Sequence, residues 1–296
     1  MKPRKVIVTV APTGGMSMKT QNPNLPTQPQ EIADTAGRCA KLGASIVAVH
    51  ARRPDDQATC NADIYRDINT RIRAQSDIVI NNSTGGGNSG DMLIKREDGL
   101  YESNFEERLK GLDGGAEMAT FDGVTVVDTV DKEKEVVVIT PPSRCDVLIE
   151  KCIERGIKPE WEVFSPEHII QDVCRLIAKG YDKPPYYINM VLGGHHGFQG
   201  AMPYSHDILA MMVRLLPPDS IWCVSGIGEA QLEATTQALL LGGHVRVGLE
   251  DNHYYSRGVK ATNEMLVERQ VRILTELGHE PTSPAEARDI LGLKQL

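Results

Sequence analysis

The chain alternates two hydrophobic periods from end to end. Short β-branched runs recur at 5–11 (KVIVTVA), 44–50 (ASIVAVH), 77–83 (DIVINNS), 116–121 (AEMATF), 158–164 (KPEWEVF), 186–192 (YYINMVL), 220–226 (SIWCVSG) and 243–248 (GHVRVG). Each reads as a strand. Between most of them the apolar residues fall at helical spacing. In PQEIADTAGRCAKLG, Ile32, Ala36, Cys39 and Ala40 form one stripe, and Gly43 is a plausible helix terminator. SPEHIIQDVCRLIAKG opens with a serine cap and a proline in the first turn and stops at Gly180. GEAQLEATTQALLLGG and NEMLVERQVRILTELG follow the same plan.

Eight strands alternating with helices over 296 residues predict a (β/α)8 TIM barrel. A doubly wound sheet uses the same alternation and is the competing architecture. No repeat or linker splits the chain, so residues 1–296 are expected to form a single barrel domain. The polar stretch 85–103 (GGGNSGDMLIKREDGLYES) is expected to be a rim loop. EVVVIT, within 123–142, suits an extra hairpin, and the tail from 278 suits a short closing helix.

Strand eight breaks the apolar rule. GGHVRVGLEDN places His244, Arg246, Glu250 and Asp251 within eight residues. A regular strand puts His244, Arg246, Gly248 and Glu250 on one face and Val245, Val247 and Leu249 on the other. The apolar face must meet the helices, so the charged face lines the interior, with Glu250 and Asp251 at the mouth and His244 deeper and structural. Barrel active sites gather at the C-terminal strand ends. Strand two ends at His50, strand three at STGGG and strand four at ATFD. His50 and Glu250 could together hold a metal. Ser83, Thr84, Gly85 and Gly86 could receive an anion, although a glycine-rich loop is also simply a turn. Arg246 is either a working residue or a structural partner of Glu250 or Asp251.

Composition narrows the setting. Net charge is −8 with no basic cluster, which disfavours nucleic acid. No apolar run approaches the ~18 residues of a membrane span. The N-terminal apolar run breaks at Pro12 and reads as a strand, not a signal peptide. Six scattered cysteines without a C-x-x-C pair suit a reducing cytoplasm.

The order of PNLPTQPQEIADTAGRCAKLGASIV, VHARRP, NNSTGGG, EMAT and the block from GGHVRVGLEDN to ARDILGL resembles the β-keto acid cleavage enzymes, the group of 3-keto-5-aminohexanoate cleavage enzyme. The resemblance implies a zinc-dependent barrel, commonly a homotetramer, that joins a short β-keto acid to acetyl-CoA. The adduct is split by a retro-Claisen step into acetoacetate and a new acyl-CoA. It assigns Zn2+ to His50 and Glu250, catalysis to Asp251, Arg246 and Ser83, and substrate contacts to Thr84, Gly85, Gly86, Thr120 and Asp122.

Three positions depart from the family pattern. Ala48 stands where the first histidine of an H-x-H ligand pair is expected, so either His195 or His196 reaches across, or waters fill in, or the metal is weak or lost. Met16 stands at the position of an amine-binding glutamate, and Asp122 at that of a pocket asparagine. Asp122 therefore either carries the cation preference or caps a turn before Gly123. Competing readings are a metal-assisted aldolase or hydrolase independent of coenzyme A, and a non-catalytic homologue.

Overall fold

A computed structural model describes residues 3–131 and 133–296. Eight strands close into a parallel barrel: β1 (Val8–Val10), β2 (Ile46–Val49), β3 (Val79–Ser83), β4 (Met118–Phe121), β5 (Lys158–Val163), β6 (Tyr186–Leu192), β7 (Ser220–Gly226) and β8 (His244–Val247). Each pairs with the next in sequence, and β8 pairs with β1 through Val245↔Val8 and Val247↔Val10. All eight lie within the runs read from the hydrophobic pattern. The helices are α1 (Pro29–Lys41), α2 (Ala62–Arg73), α3 (Phe105–Lys110), α4 (Pro142–Glu154), α5 (Arg175–Ala178), α6 (His206–Leu215), α7 (Ala230–Leu241), α8 (Asn263–Glu276) and α9 (Pro284–Leu291).

Local chemistry sets the helix ends. Thr262 caps α8 by accepting from the Met265 amide, and Ser283 forms a reciprocal capping box with Glu286 at α9. Gly43 and Gly242 leave α1 and α7 at positive φ. The helix opened by Ser165-Pro166 differs from expectation: residues His168–Cys174 are π-wound before α5 begins. The wider turn still sends Ile169 and Val173 into the core.

Strand alternation divides the core into two. Val47, Val49, Trp161, Val163, Val245 and Val247 face the helix layer. Ile7, Ile46, Val79, Met118, Tyr187 and Cys223 form the barrel floor, sealed by Ala287 and Leu291 of α9. Above this floor the interior turns polar, with Thr9, Asn81, Glu160, Asn189 and Ser225 fully buried. All six cysteines are free thiols, five of them buried.

The mouth carries a second, smaller sheet. Its order is Phe198–Gln199, Val126–Asp128, Val136–Val138, Tyr101–Ser103, Leu93–Lys95. The hairpin expected around EVVVIT is present, as Val126–Asp128 against Val136–Val138. The stretch 85–103 is more ordered than a loop: two three-residue strands within it pair antiparallel and join that hairpin through Val136↔Tyr101. Strands this short carry too little alternation to show in the sequence. Among the described residues no helix is long and apolar enough to cross a membrane.

His244 takes the structural place expected of it. Its Nδ1 accepts the Ile7 amide at 2.9 Å, joining β8 to the start of β1. Burial, with a smaller push from Arg4, lowers its pKa to about 3. Folding therefore keeps the ring neutral, while the unfolded ring protonates below its ordinary value near 6.5. This stability is fully present above pH 6.5 and is lost progressively as pH falls toward 3. Wild type is expected to lose about 2 kcal/mol from this group between pH 7 and pH 5, read from urea midpoints. His244→Asn, which keeps an acceptor, should flatten that slope; identical slopes in both proteins would refute the assignment.

Candidate active site

The site forms where β8 ends. After Val247 the chain turns at Gly248, whose φ of +149° and close approach to the Ala11 carbonyl leave no room for a side chain. The Asp251 and Asn252 amides both donate back to the Gly248 carbonyl. This turn corrects the regular alternation assumed for the strand. A straight strand would send Asp251 to the face opposite Glu250, but the turn brings both onto Arg246.

Arg246 is the hub. Its Nε donates to Asp251 Oδ2 at 3.0 Å and its Nη2 to Asp251 Oδ1 at 2.8 Å, a bidentate grip. Nη2 also reaches Glu250 Oε1 at 2.6 Å, and Nη1 reaches Glu162 Oε1 at 2.8 Å. One guanidinium thus faces three carboxylates, Asp251 buried and Glu162 and Glu250 partly buried. Burial pushes the Glu162 carboxyl well above its usual range, against the pull of Arg246. Burial raises Asp251 as well. Glu250 goes the other way: burial opposes it, but Arg246 and then His50 hold its carboxyl low. Beneath them Glu160 accepts from Asn81 and Cys223, and burial lifts its pKa to about 7.

His50 faces Glu250 across the mouth, Nε2 to Oε1 at 3.3 Å. Its Nδ1 lies 3.2 Å from the Gly86 carbonyl. A carbonyl only accepts, so Nδ1 carries the proton and Nε2 presents either a lone pair or a second proton to the carboxylate. A lone pair aimed at a carboxylate is the arrangement a cation relieves, with the Gly86 carbonyl fixing the tautomer. Glu250 Oε2 is buried and has no partner. These two side chains fit part of a metal site. Ala48 lies two residues before His50 on the same face of β2, beside Asn81, and contributes no ligand. His196 lines the outer cavity with His195 against it, ring centroids 3.9 Å apart. Neither joins the pair: among the described residues no group of three His, Cys, Asp or Glu could hold a metal.

The cavity over this cluster is lined by Ser83, Gly85, Asp122, Glu162, His50 and Glu250 on the barrel side. Val124, Val126, Val138 and Phe198 cover it from the small sheet, and Met16 from the loop after β1. Ser83 Oγ accepts the Gly85 amide at 3.1 Å, which leaves its own proton for another acceptor. Asp122 Oδ1 is buried without a partner, while Oδ2 lies 4.0 Å from Arg108.

Thr84, Gly86 and Thr120 are not among the residues that line this cavity. Thr84 Oγ1 donates to the Thr120 carbonyl at 2.6 Å, and the Thr84 amide donates to Thr120 Oγ1 at 3.0 Å. These bonds tie β3 to β4. The amides of Thr84, Gly85 and Gly87 are all taken within the protein. STGGG is therefore mainly a packing loop: a Cβ on Gly15 would meet the Gly86 carbonyl at 2.2 Å, and one on Gly87 the Gly15 carbonyl at 2.3 Å.

Three residues were not found by sequence reasoning. Glu162 was available from the alternation in KPEWEVF, which places Glu160 and Glu162 inward and Trp161 outward. Arg52 and Arg108 had no such signal. Arg52, buried, holds the Gly14 and Ser17 carbonyls at 2.9 and 2.8 Å. Arg108, also buried, holds the Thr84 carbonyl at 2.7 Å and bonds the Asp122 carbonyl and Thr140.

Fold and site together define a (β/α)8-barrel protein whose C-terminal mouth sets a buried, arginine-held aspartate beside a His–Glu pair. The chain belongs to the β-keto acid cleavage enzyme family, which it matches over residues 5–293. It is 35% identical to the 3-keto-5-aminohexanoate cleavage enzyme of Fusobacterium nucleatum, over 98% of this chain and 99% of that one. It is 31% identical to the 3-dehydrocarnitine:acetyl-CoA trimethylamine transferase of Rhizobium meliloti, over 98% and 97%. The structure of ObcA in binary complex with oxaloacetate shares the fold, with TM-score 0.71 at 19% identity over 92% of this chain and 68% of that one.

Proposed function

We propose that the protein joins a short β-keto acid to acetyl-CoA and splits the adduct into acetoacetate and a new acyl-CoA. The observation that carries this reading is Asp251, gripped at both oxygens by Arg246 beside the His50–Glu250 pair. A proton leaves the carbon between the keto group and the carboxylate, and the enolate attacks the thioester carbonyl, releasing CoA thiolate. The thiolate adds to the original keto carbon, and the bond from that carbon to the carbon bearing the carboxylate breaks. The carboxylate-bearing carbon keeps the electron pair and regains a proton, giving the new acyl-CoA and acetoacetate. Asp251 takes and returns the proton, with Arg246 fixing its orientation. Ser83 donates its free proton to a substrate oxygen. His50 and Glu250 would hold a divalent zinc, which supplies a Lewis acid for the keto oxygen.

The test is acetyl-CoA labelled with 13C in the acetyl group, mixed with short β-keto acids. Label is expected in the methyl-ketone half of acetoacetate. Cleavage without acetyl-CoA would favour the CoA-independent aldolase or hydrolase, and no cleavage with zinc present a non-catalytic homologue. A tetramer of 32.5 kDa chains is the assembly we propose, read by light scattering.

Asp122 gives the substrate its finer character. Asp122 lines the cavity with Val124, Val126 and Phe198, and its Oδ1 is buried without a partner; a protonated amine or trimethylammonium in the cavity would complement its charge. Asp122→Asn is expected to lower kcat/KM for a cationic β-keto acid by about 10–100-fold, the worth of one charged contact, and to spare a neutral analogue of equal length. Equal losses on both substrates would refute this role.

A further inference from the structure

Two loops meet over the mouth through a pair of side chains that the reaction above does not use. Ser17, in the loop after β1, and His253, in the loop after β8, lie 3.0 Å apart, Oγ to Nε2. The contact is held from behind at both ends. The Ser17 carbonyl accepts from Arg52 at 2.8 Å. The His253 carbonyl accepts from the Asn22 side chain and from the Ala261 amide, each at 3.0 Å.

Ser17 stands where the inner and outer cavities meet. It lines both of them, as do Glu162 and Glu250. His50 and Ser83 line the inner cavity, while Arg246 and Asp251 line the outer one. A carbon that gives its proton to Asp251 while its keto oxygen is held near His50 and Glu250 therefore sits at this junction, beside Ser17. Negative charge that develops there lies close to the carboxylates of Glu162 and Glu250. Arg246 already grips those two and Asp251, and the Thr84, Gly85 and Gly87 amides are taken.

The histidine decides where the serine proton goes. Burial, and then Lys260, lower the His253 pKa, so the ring is neutral and carries one proton. Its Nδ1 is buried and has no partner. On Nδ1 the proton would be a buried donor with nothing to bond, the rarer kind of orphan in folded proteins. On Nε2 it is donated to Ser17 Oγ, and only a lone pair is left over. Oγ then accepts, and the Ser17 proton is free for an oxygen at the junction.

We propose that Ser17 is a catalytic residue that hydrogen bonds the thioester oxygen when the enolate attacks, with His253 as its positioning residue. As the new C–C bond forms, the carbonyl π pair moves onto oxygen. Ser17 holds that oxyanion without giving up its proton, and the oxyanion collapses to expel CoA thiolate. Both partners are fixed by backbone contacts beforehand, as a preorganised donor requires. The assignment rests on the function proposed above.

Ser17→Ala is expected to lower kcat by about 100-fold with KM nearly unchanged, the usual effect of removing one oxyanion donor. Ser17→Thr keeps a hydroxyl and should restore most of the loss. His253→Leu should cost about tenfold alone and nothing further in Ser17→Ala, because it acts through that hydroxyl. Equal losses in both backgrounds would make His253 merely structural and overturn its part. Calorimetry reads the same contact without turnover. Trifluoroacetonyl-CoA hydrates to a tetrahedral centre, and acetonyl-CoA stays trigonal. Wild type is expected to favour the fluorinated ligand, and Ser17→Ala to narrow that preference about tenfold. Wild-type kcat in folded Ser17→Ala, with acetoacetate still formed, overturns the role and leaves the function standing. A narrowed preference in a protein that cleaves no β-keto acid supports the oxyanion contact and overturns the function. An unchanged preference in such a protein overturns both.

Discussion

Asp251→Asn is expected to lower kcat for acetoacetate formation by about a thousandfold, within the range for loss of a positioned acid–base group. The substitution keeps size and shape and removes the oxygen that exchanges a proton. The carboxylate is 4% exposed and its two oxygens lie 2.8 and 3.0 Å from Arg246, so no other orientation is open to the side chain. The amide must turn its NH2 toward a guanidinium donor, costing about 1–3 kcal/mol of stability, small beside the catalytic loss. Because the proton moves only in the chemical step, kcat and kcat/KM should fall together. Steady-state kinetics beside a urea melt separate the two effects. An unchanged kcat in folded protein would remove Asp251 from proton transfer.

The second large effect concerns the metal. Catalytic zinc ordinarily takes three protein ligands and a water, and this mouth offers His50 and Glu250. Wild type is therefore expected to bind Zn2+ weakly. Ala48→His should tighten binding at least about a hundredfold by restoring a third ligand, since positions 48 and 50 share the inward face of β2 about 7 Å apart. His50→Ala should lose the ion altogether. Competition against a zinc-sensitive dye gives all three affinities independently of turnover. Equal affinity in wild type and Ala48→His would show that the missing histidine does not limit the site, and undiminished affinity in His50→Ala would move the site elsewhere.

Much of the fold was legible because a barrel repeats one simple pattern. Each strand was visible as a β-branched run, and the helices after β1, β5, β7 and β8 as stripes closed by glycine. The same alternation exposed Arg246 and Glu250 as inward residues. Applied to β5 it also marks Glu160 and Glu162, whose carboxylates were overlooked because Trp161 and Val163 make the run look like ordinary core. Asp251 joins Arg246 only through the turn at Gly248, which a two-residue period does not describe. Arg52 and Arg108 bond mostly to backbone carbonyls of distant loops. Carbonyls are present at every residue, so the sequence holds no mark of which ones an arginine will find. The bonds between Thr84 and Thr120 likewise leave no mark in the sequence, because a strand-end hydroxyl can turn to backbone or to a ligand.

The contact between Gly15 and Gly87 has a consequence for how this mouth can evolve. Two loops meet there backbone to backbone, and Gly248 presses on Ala11 in the same way. That half of the rim has no side chains to exchange, so mutation can break it but hardly reshape it. The opposite half is built from Val124, Val126, Val138 and Phe198, which meet the cavity through side chains that can change size. A saturation library read by substrate range should therefore split in two: a frozen arc where nearly every change is silenced, and a permissive arc where new substrates are gained.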